Sequence, residues 1–355
     1  MTKKVLLGMS GGVDSSIAVK LLQDEGYDVL GATMKLTDDK IVKHNHLPES
    51  ISDAKKVANA FNIDHMEVDF KDEFNRQIIS YFVEAYEQGT TPNPCIVCNK
   101  QIKFGKFLDL AIDEGCDYVA TGHYAKIEKD ETTGRYLLKR AVDSKKDQTY
   151  FLYRLNQDAL SRSLMPLGYY TKDQVREIGK EMKLEIAGKK DSEEICFVQH
   201  EDHGSFILRM NPDAAFPGNF VDEDGKVLGQ HKGIIHYTVG QRRGLGIATG
   251  ERIFVSNINP KRNEITVSDV DSIMKTKVIV KDINLIPFDS FEGEMEVTTK
   301  IRHSMIEYPA KIKMLDEDTI EIKFDSPVRG PAKGQSAVFY DGDIVVGGGF
   351  IVDYK

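Results

Sequence analysis

The sequence predicts an α/β chain in three parts. These are an N-terminal parallel-sheet domain over residues 1–200, a small central linking domain over 201–275, and a C-terminal antiparallel β-barrel domain over 276–355. Three observations carry this. Short buried strands alternate with helix-period stripes in the first half. Glycine and proline punctuate the segment after about residue 200. From about residue 276 apolar and polar residues alternate.

Taken in order, Lys4 to Met9 reads as a short buried strand, and Asp14 to Glu25 as a helix. Ile17, Ala18, Leu21 and Leu22 recur there at helical spacing, and Gly26 ends it. Val29 to Met34 is the second strand, and Ala54, Val57, Ala58 and Phe61 mark a second helix. His65 to Asp69 is the third strand; Phe74, Ile78, Phe82 and Tyr86 stripe a long helix. A turn-rich loop is expected over Gly89 to Asn99. A helix follows with Phe104, Phe107, Leu108, Ala111 and Ile112 on one side, then a fourth strand over Tyr118 to Thr121. Strands that alternate with helices imply a parallel sheet covered on both faces. In the last part Lys277 to Val280, Glu296 to Thr298, Ala310 to Met314 and Thr319 to Phe324 read as antiparallel strands.

Composition narrows the classes. The 355 residues are 41% hydrophobic and 29% charged, which excludes a disordered chain. A net charge of −9 argues against indiscriminate coating of nucleic acid, though a local basic face is compatible with it. No run of about 18 apolar residues exists, so no membrane span or membrane partner is expected. The N-terminus runs straight into a glycine turn without a long apolar region, which points to the cytosol. The four cysteines, Cys95, Cys98, Cys116 and Cys196, are too few for a secreted disulfide scaffold.

The strongest motif is the string Gly8, Met9, Ser10, Gly11, Gly12, Val13, Asp14, Ser15, Ser16, between a strand and a helix. Twin glycines let the backbone approach an anion, the N–H groups of the turn and the helix start face it, and the Ser hydroxyls add donors. Asp14 is expected to orient the loop or hold Mg²⁺. No lysine lies in the turn, so this is not the Lys-bearing loop of kinases.

This string resembles the pyrophosphatase loop of the N-type ATP pyrophosphatases, and the chain resembles the tRNA 2-thiouridylase family within that group. The further matching strings are Thr91 to Pro94, Cys98 to Lys100, Ile102 to Phe104, Ala120 to Tyr124, Lys146 to Leu152, Ile195 to Phe197, Tyr237 to Leu245 and Val346 to Gly349. They span nearly the whole chain in order. The resemblance implies a fold of the adenine nucleotide α-hydrolase type and an ATP-dependent sulfurtransferase. ATP, with Mg²⁺, adenylates the 2-oxygen of the wobble uridine and releases pyrophosphate; a sulfur nucleophile then displaces AMP to leave 2-thiouridine. Residues Gly8 to Ser15 would cradle the phosphates, the Met34 backbone would contact adenine, and Gly122 would close the nucleotide site. The implied partners are the tRNAs for lysine, glutamate and glutamine, and a sulfur source: a cysteine desulfurase, a relay protein or free sulfide.

The resemblance also assigns the sulfur centre. Cys196 would carry a persulfide, and Cys98 would release hydrosulfide from it or resolve it as a Cys98–Cys196 disulfide. Both need a thiolate, and Lys100, Lys189 and Lys190 are the neighbouring cations expected to favour one. Cys116 reads as a buried inert thiol. Where much of the family has Asp, this chain has Cys95, forming a C-x-x-C pair with Cys98. Three thiols, Cys95, Cys98 and Cys196, also suit a 4Fe–4S cluster with one iron open to hydrosulfide. The persulfide and cluster routes both stand open.

For tRNA, the resemblance places the flipped base at Asn93, Pro94 and Cys95, and contacts at His123, Lys146, Asp147, Gln148, Arg302, His303 and Gln335. Arg242 and Arg243 form an expected phosphate clamp. The run from His200 to His203 lacks the spacing of a zinc protease, His44 to His46 reads as a surface loop, and Gly347 to Gly349 as close packing between strands. Two rivals remain at this stage: a synthetase of the same loop that activates a small carbonyl or carboxylate, and a non-catalytic sensor that binds tRNA or an Fe–S cluster.

Overall fold

The computed structural model describes residues 2–38, 41–42, 47–182, 195–247, 250–303 and 306–355. His44 to His46, Lys189 and Lys190 lie outside the described residues.

The N-terminal part begins with β1 (Lys4–Gly8), α1 (Val13–Asp24), β2 (Asp28–Lys35), α2 (Leu47–Ala60) and β3 (His65–Asp69). Helix α3 (Lys71–Phe74) passes through a π-helical turn, Asn75–Ile79, into α4 (Ser80–Glu87), which gives the long helix that the aromatic stripe predicts. Then come α5 (Pro94–Cys98), a second π-helical stretch over Asn99–Lys106, α6 (Phe107–Asp113) and β4 (Tyr118–Ala120). A hairpin of β5 (Ala125–Lys129) and β6 (Tyr136–Arg140) is followed by α7 (Gln157–Ser161), β7 (Ser163–Leu164) and α8 (Lys172–Glu181).

The parallel sheet has the order β3-β2-β1-β4-β7. Successive β1 residues face opposite sides. Val5 and Leu7 pack with Ala18, Leu22, Val29 and Val57, while Leu6 packs with Phe74, Phe82 and Phe107. Each fully buried Phe or Leu stabilises by about 1.5–3 kcal/mol. The strand order reverses between β1 and β4, and the crevice at the carboxyl ends of these strands is where open sheets take ligands.

The segment Gly89 to Asn99 is not all loop. Pro94 stands at the first position of α5, where its fixed φ and missing N–H are harmless, so a helix starts there and runs on through the π turn. This moves Cys98 from an expected loop to a buried helical position. The hairpin and β7 are strands that the sequence did not signal.

The central part holds α9 (His203–Met210), β8 (Gly218–Val221), β9 (Val227–His231), β10 (Phe254–Asn259) and β11 (Glu264–Ser268). Its four-stranded sheet has the order β10-β11-β8-β9. Asp202 caps α9 through Ser205 N, which gives the His200 to His203 run a structural use.

The C-terminal part is a closed antiparallel barrel of β12 (Met274–Leu285), β13 (Glu294–Lys300), β14 (Tyr308–Asp316), β15 (Thr319–Arg329), β16 (Ser336–Asp341) and β17 (Ile344–Tyr354). The order β12-β15-β14-β13-β16-β17 closes through β12–β17 pairing. Val278, Val280, Ile312, Ile320, Ile322, Phe339 and Ile351 fill it. Gly347 to Gly349 lie within β17, not between strands; a Cβ on Gly348 would come within 2.5 Å of the Ala337 carbonyl oxygen. The hairpin strand β6 joins the edge of this sheet through Lys139 opposite Ile344. Tyr150 Oη donates to the Ser336 carbonyl at 2.9 Å, and Asn284 Nδ2 to the Tyr153 carbonyl at 2.7 Å. The barrel is therefore seated on the same segment that follows the hairpin.

Candidate functional site

The phosphate turn leaves β1 at the switch point. Gly11 takes φ +70°, and the turn closes on itself. Ser15 Oγ accepts from Ser10 N at 3.2 Å and donates to the Gly12 carbonyl at 3.1 Å; Ser16 Oγ donates to the same carbonyl at 2.8 Å. Gly12 is the N-cap of α1 and has no side chain to satisfy the first N–H groups of the helix, so these remain for an anion. Met9 and Val13 are buried anchors, and Ser10 is exposed at the mouth.

Gly122 follows β4 across the crevice. A Cβ there would lie 3.2 Å from Ser15 N and 3.3 Å from the Asp14 carbonyl carbon, so only glycine leaves both strand ends this close. Met34 is in β2 one residue short of its end, and its Cε would sit 3.3 Å from a Cβ on Gly8. Gly8 to Ser15, Met34 and Gly122 are thus gathered at one end of the sheet. Asp14 turns to Lys172, whose Nζ stands 2.9 Å from both carboxylate oxygens, and Tyr124 Oη donates to Oδ1 at 2.9 Å. Neither partner stood out in the sequence.

The three sulfurs come together from two segments. Cys95 and Cys98 lie on one turn of α5, and the chain returns with Cys196 near enough for the charge of each of the other two to act on its ionisation. Burial pushes the Cys98 thiol up to about 11. It pushes Cys95 and Cys196 up as well. Cys196 keeps an exposed surface while protein atoms crowd it, the mark of a concave position. Among the described residues burial thus outweighs the neighbouring positive charge, while Lys189 and Lys190 of the expected set lie outside them. Lys100 is exposed; among the described residues the cation that opposes the burial of all three is Lys103. The π-helical stretch brings Lys103, five residues beyond Cys98, towards the thiols. Cys116 is buried apart from the group, between α6 and β4. Among the described residues no three or more His, Cys, Asp or Glu side chains stand in metal-ligating geometry.

Lys103 also connects the thiols to the nucleotide end of the sheet. Its Nζ lies 3.5 Å from His123 Nε2, and His123 Nδ1 lies 2.7 Å from Thr121 Oγ1. An ammonium only donates, so Nε2 accepts and Nδ1–H donates to Thr121. His123 is buried, and burial together with Lys103 holds it neutral, well below the usual imidazole range.

The other expected tRNA residues fall into two groups. Arg242 and Arg243 are exposed, Asn93 and Lys146 are partly exposed, and Pro94 is buried in the first turn of α5. Asp147 and Gln148 face inward: Asp147 accepts from Ala141 N at 3.0 Å and Thr149 Oγ1 at 2.6 Å, and Gln148 Oε1 accepts from Tyr124 N at 2.9 Å. Arg302 donates to the carbonyls of Arg329 and Gly330 at 3.0 and 2.7 Å. His303 packs on Phe151 with ring centroids 4.3 Å apart. Gln335 donates to the Thr91 carbonyl at 3.0 Å.

Three family models match the chain: a tRNA methyl transferase HUP domain over 3–200, a tRNA methyl transferase PRC-barrel domain over 204–269, and an aminomethyltransferase beta-barrel domain over 275–351. The chain is 52% identical over 355 residues to the tRNA-specific 2-thiouridylase of Clostridioides difficile strain 630, with 99% of this chain and 98% of that protein covered. It is 50% identical over 356 residues to the enzyme of the same description from Clostridium acetobutylicum, covering 99% and 100%. Among solved structures, a U34-tRNA thiolase from Methanococcus maripaludis with its [4Fe-4S] cluster aligns at TM-score 0.36 and 19% identity, over 60% of this chain and 67% of that one.

Proposed function

The chain belongs to the tRNA-specific 2-thiouridylase family, and we propose that Cys95, Cys98 and Cys196 form its sulfur centre beside the nucleotide crevice. The activity is an ATP-dependent sulfurtransfer to the wobble uridine of tRNA. The uridine 2-oxygen attacks the α-phosphorus of ATP and pyrophosphate leaves. Sulfur then attacks C2 and AMP leaves with the oxygen.

The observation that carries the site assignment is the run Thr121, His123 and Lys103, whose charge reaches all three thiols. It joins the strand end where ATP would sit to the place where sulfur would wait. The phosphate turn holds the triphosphate with backbone N–H groups and Ser10, and Gly122 keeps the opposite wall low. Asn93, Pro94 and Cys95 at the start of α5 border the flipped base, and the Cys196 thiolate, on its exposed side, takes the outer sulfur of a persulfide on a relay protein or cysteine desulfurase, whose own cysteine leaves as the thiol; free sulfide, where it is the source, attacks the activated base directly as hydrosulfide. Lys103 places positive charge where thiolate or hydrosulfide must form against the cost of burial. Arg242 and Arg243 hold tRNA phosphates.

Three cysteines are the donor set of a 4Fe–4S cluster with one open iron, and Cys95, Cys98 and Cys196 would have to draw together to hold one, since the described side chains do not stand in metal-ligating geometry. When bound, such a cluster supplies an open iron that carries hydrosulfide. Cys95 in place of a carboxylate favours this form of the centre over a bare persulfide pair.

Anaerobic preparation with and without iron and sulfide tests the assignment, with thiolated tRNA quantified for wild type, Cys95→Asp, Cys98→Ala and Cys196→Ala. Loss of product in Cys98→Ala and Cys196→Ala is expected, and in Cys95→Asp only where iron is required. Undiminished thiolation by a variant lacking all three thiols would overturn it.

A further inference from the structure

Asp14 is the carboxylate of the phosphate turn, and a bare carboxylate at that position would repel a triphosphate. The structure meets this from beneath. Lys172 Nζ lies 2.9 Å from both Asp14 oxygens, and its side chain is 6% exposed against 31% for Asp14. The lysine is buried, and the carboxylate keeps part of its surface exposed on the turn.

We propose that Lys172 is a positioning residue of the nucleotide site: it neutralises and orients Asp14, and so ties the phosphate turn to the 143–148 loop. This rests on the reading of the turn as the ATP site.

Lys172 is itself held firmly. It opens α8, whose start carries a reciprocal cap between Thr171 and Gln174. Its backbone N donates to Asp143 Oδ2 at 2.9 Å. Val13, Ile17, Leu21, Tyr124, Leu167 and Val175 pack around it as one apolar cluster that fixes α8 against α1. Tyr124 completes the connection. Its hydroxyl reaches Asp14 at 2.9 Å, its N–H donates to Gln148 Oε1 at 2.9 Å, and its carbonyl accepts from Gln148 N at 2.9 Å. The 143–148 loop thus reaches Asp14 along two lines, Asp143 to Lys172 and Gln148 to Tyr124. That loop carries Lys146, Asp147 and Gln148, so filling the phosphate turn and ordering the loop become mechanically linked.

The test uses the full chain and a fluorescent ATP analogue with Mg²⁺, titrated without tRNA, together with the KM and kcat for AMP formation with tRNA. Lys172→Met is expected to weaken ATP binding at least tenfold and to raise KM more than it lowers kcat. Lys172→Arg restores affinity to within about threefold. Asp14→Asn guards against a misfolded Lys172→Met. The double variant, which leaves no uncompensated carboxylate, binds ATP no worse than Asp14→Asn alone. ATP affinity within twofold of wild type in a folded Lys172→Met, or additive losses in the double variant, would overturn the inference. A wild type that binds no ATP would instead sink the reading of the turn.

Discussion

Gln335 of the barrel donates from Nε2 to the carbonyl oxygen of Thr91, 3.0 Å away and 244 positions earlier in the chain. Beside it, Thr91 N donates to the Lys333 carbonyl at 2.8 Å. The C-terminal barrel thereby holds the strand of chain that enters α5 with Asn93, Cys95 and Cys98.

Gln335→Ala removes one of these two ties. A net hydrogen bond contributes about 0.5–1.5 kcal/mol, so a small drop in Tm is expected. Thiolation should fall more than stability, because the loop that borders the base loses its anchor. Unchanged turnover alongside a lowered Tm would show that the tie serves the fold alone.

Gly11 has φ +70°, and a Cβ there would stand 2.5 Å from the Ser50 carbonyl oxygen. Gly11→Ala must therefore move the turn or the start of α2, on top of about 1–2 kcal/mol for a left-handed non-glycine residue. ATP affinity by equilibrium titration is expected to fall at least tenfold. Gly26→Ala makes a control, since it has positive φ but nothing within 4 Å of its Cβ; ATP affinity should survive there.

The central part should lose stability as the pH falls. Burial lowers His203, His231 and His236 from the usual imidazole range. Lys232 presses the same way on His203 and His236, against Asp202. His203 stacks on Tyr86 at 4.7 Å, and His231 Nε2 bonds the Asn263 carbonyl at 3.1 Å. The unfolded chain takes up protons first, so stability present above about pH 6.5 is lost as pH falls towards the lower folded values. Urea midpoints at pH 7.5 and 5.5 check this. His236→Gln should shrink the difference, and an equal difference in both proteins would refute the assignment.

Arg242 is exposed beside Arg243 on the connection between β9 and β10 of the central sheet. Arg242→Glu is expected to weaken tRNA binding and to flatten the fall of log affinity with log salt by roughly one to two phosphate contacts, about 0.9 per phosphate. ATP binding without tRNA should stay as in wild type. Superimposable salt curves would remove this surface from the interface.

Much of the nucleotide end was legible without coordinates. A glycine turn between a buried strand and a helix has one local use, and both halves of that argument are encoded within a few residues of each other. Gly122 came with the family resemblance, and its place after a strand agrees, since parallel strands bring their carboxyl ends together. Lys172, Tyr124 and Lys103 were missed for the opposite reason. A lone lysine or tyrosine has no local signature, and the partner of each is supplied by a distant segment. The burial of the thiols is not legible in sequence, and a neighbour in the chain such as Lys100 need not be a neighbour in space. Lys100 points to solvent, and the π turn moves the acting cation to Lys103.

Periodicity and turn residues pointed to the parallel sheet, and the ordered motif strings carried the resemblance to the family. Burial and long-range placement decided the rest: that three cysteines are each held against ionisation by burial, that Lys172 reaches both oxygens of Asp14, and that a barrel residue anchors the entry to α5. Those are properties of what surrounds a group, and solvent exclusion is decided only once the chain has closed around it.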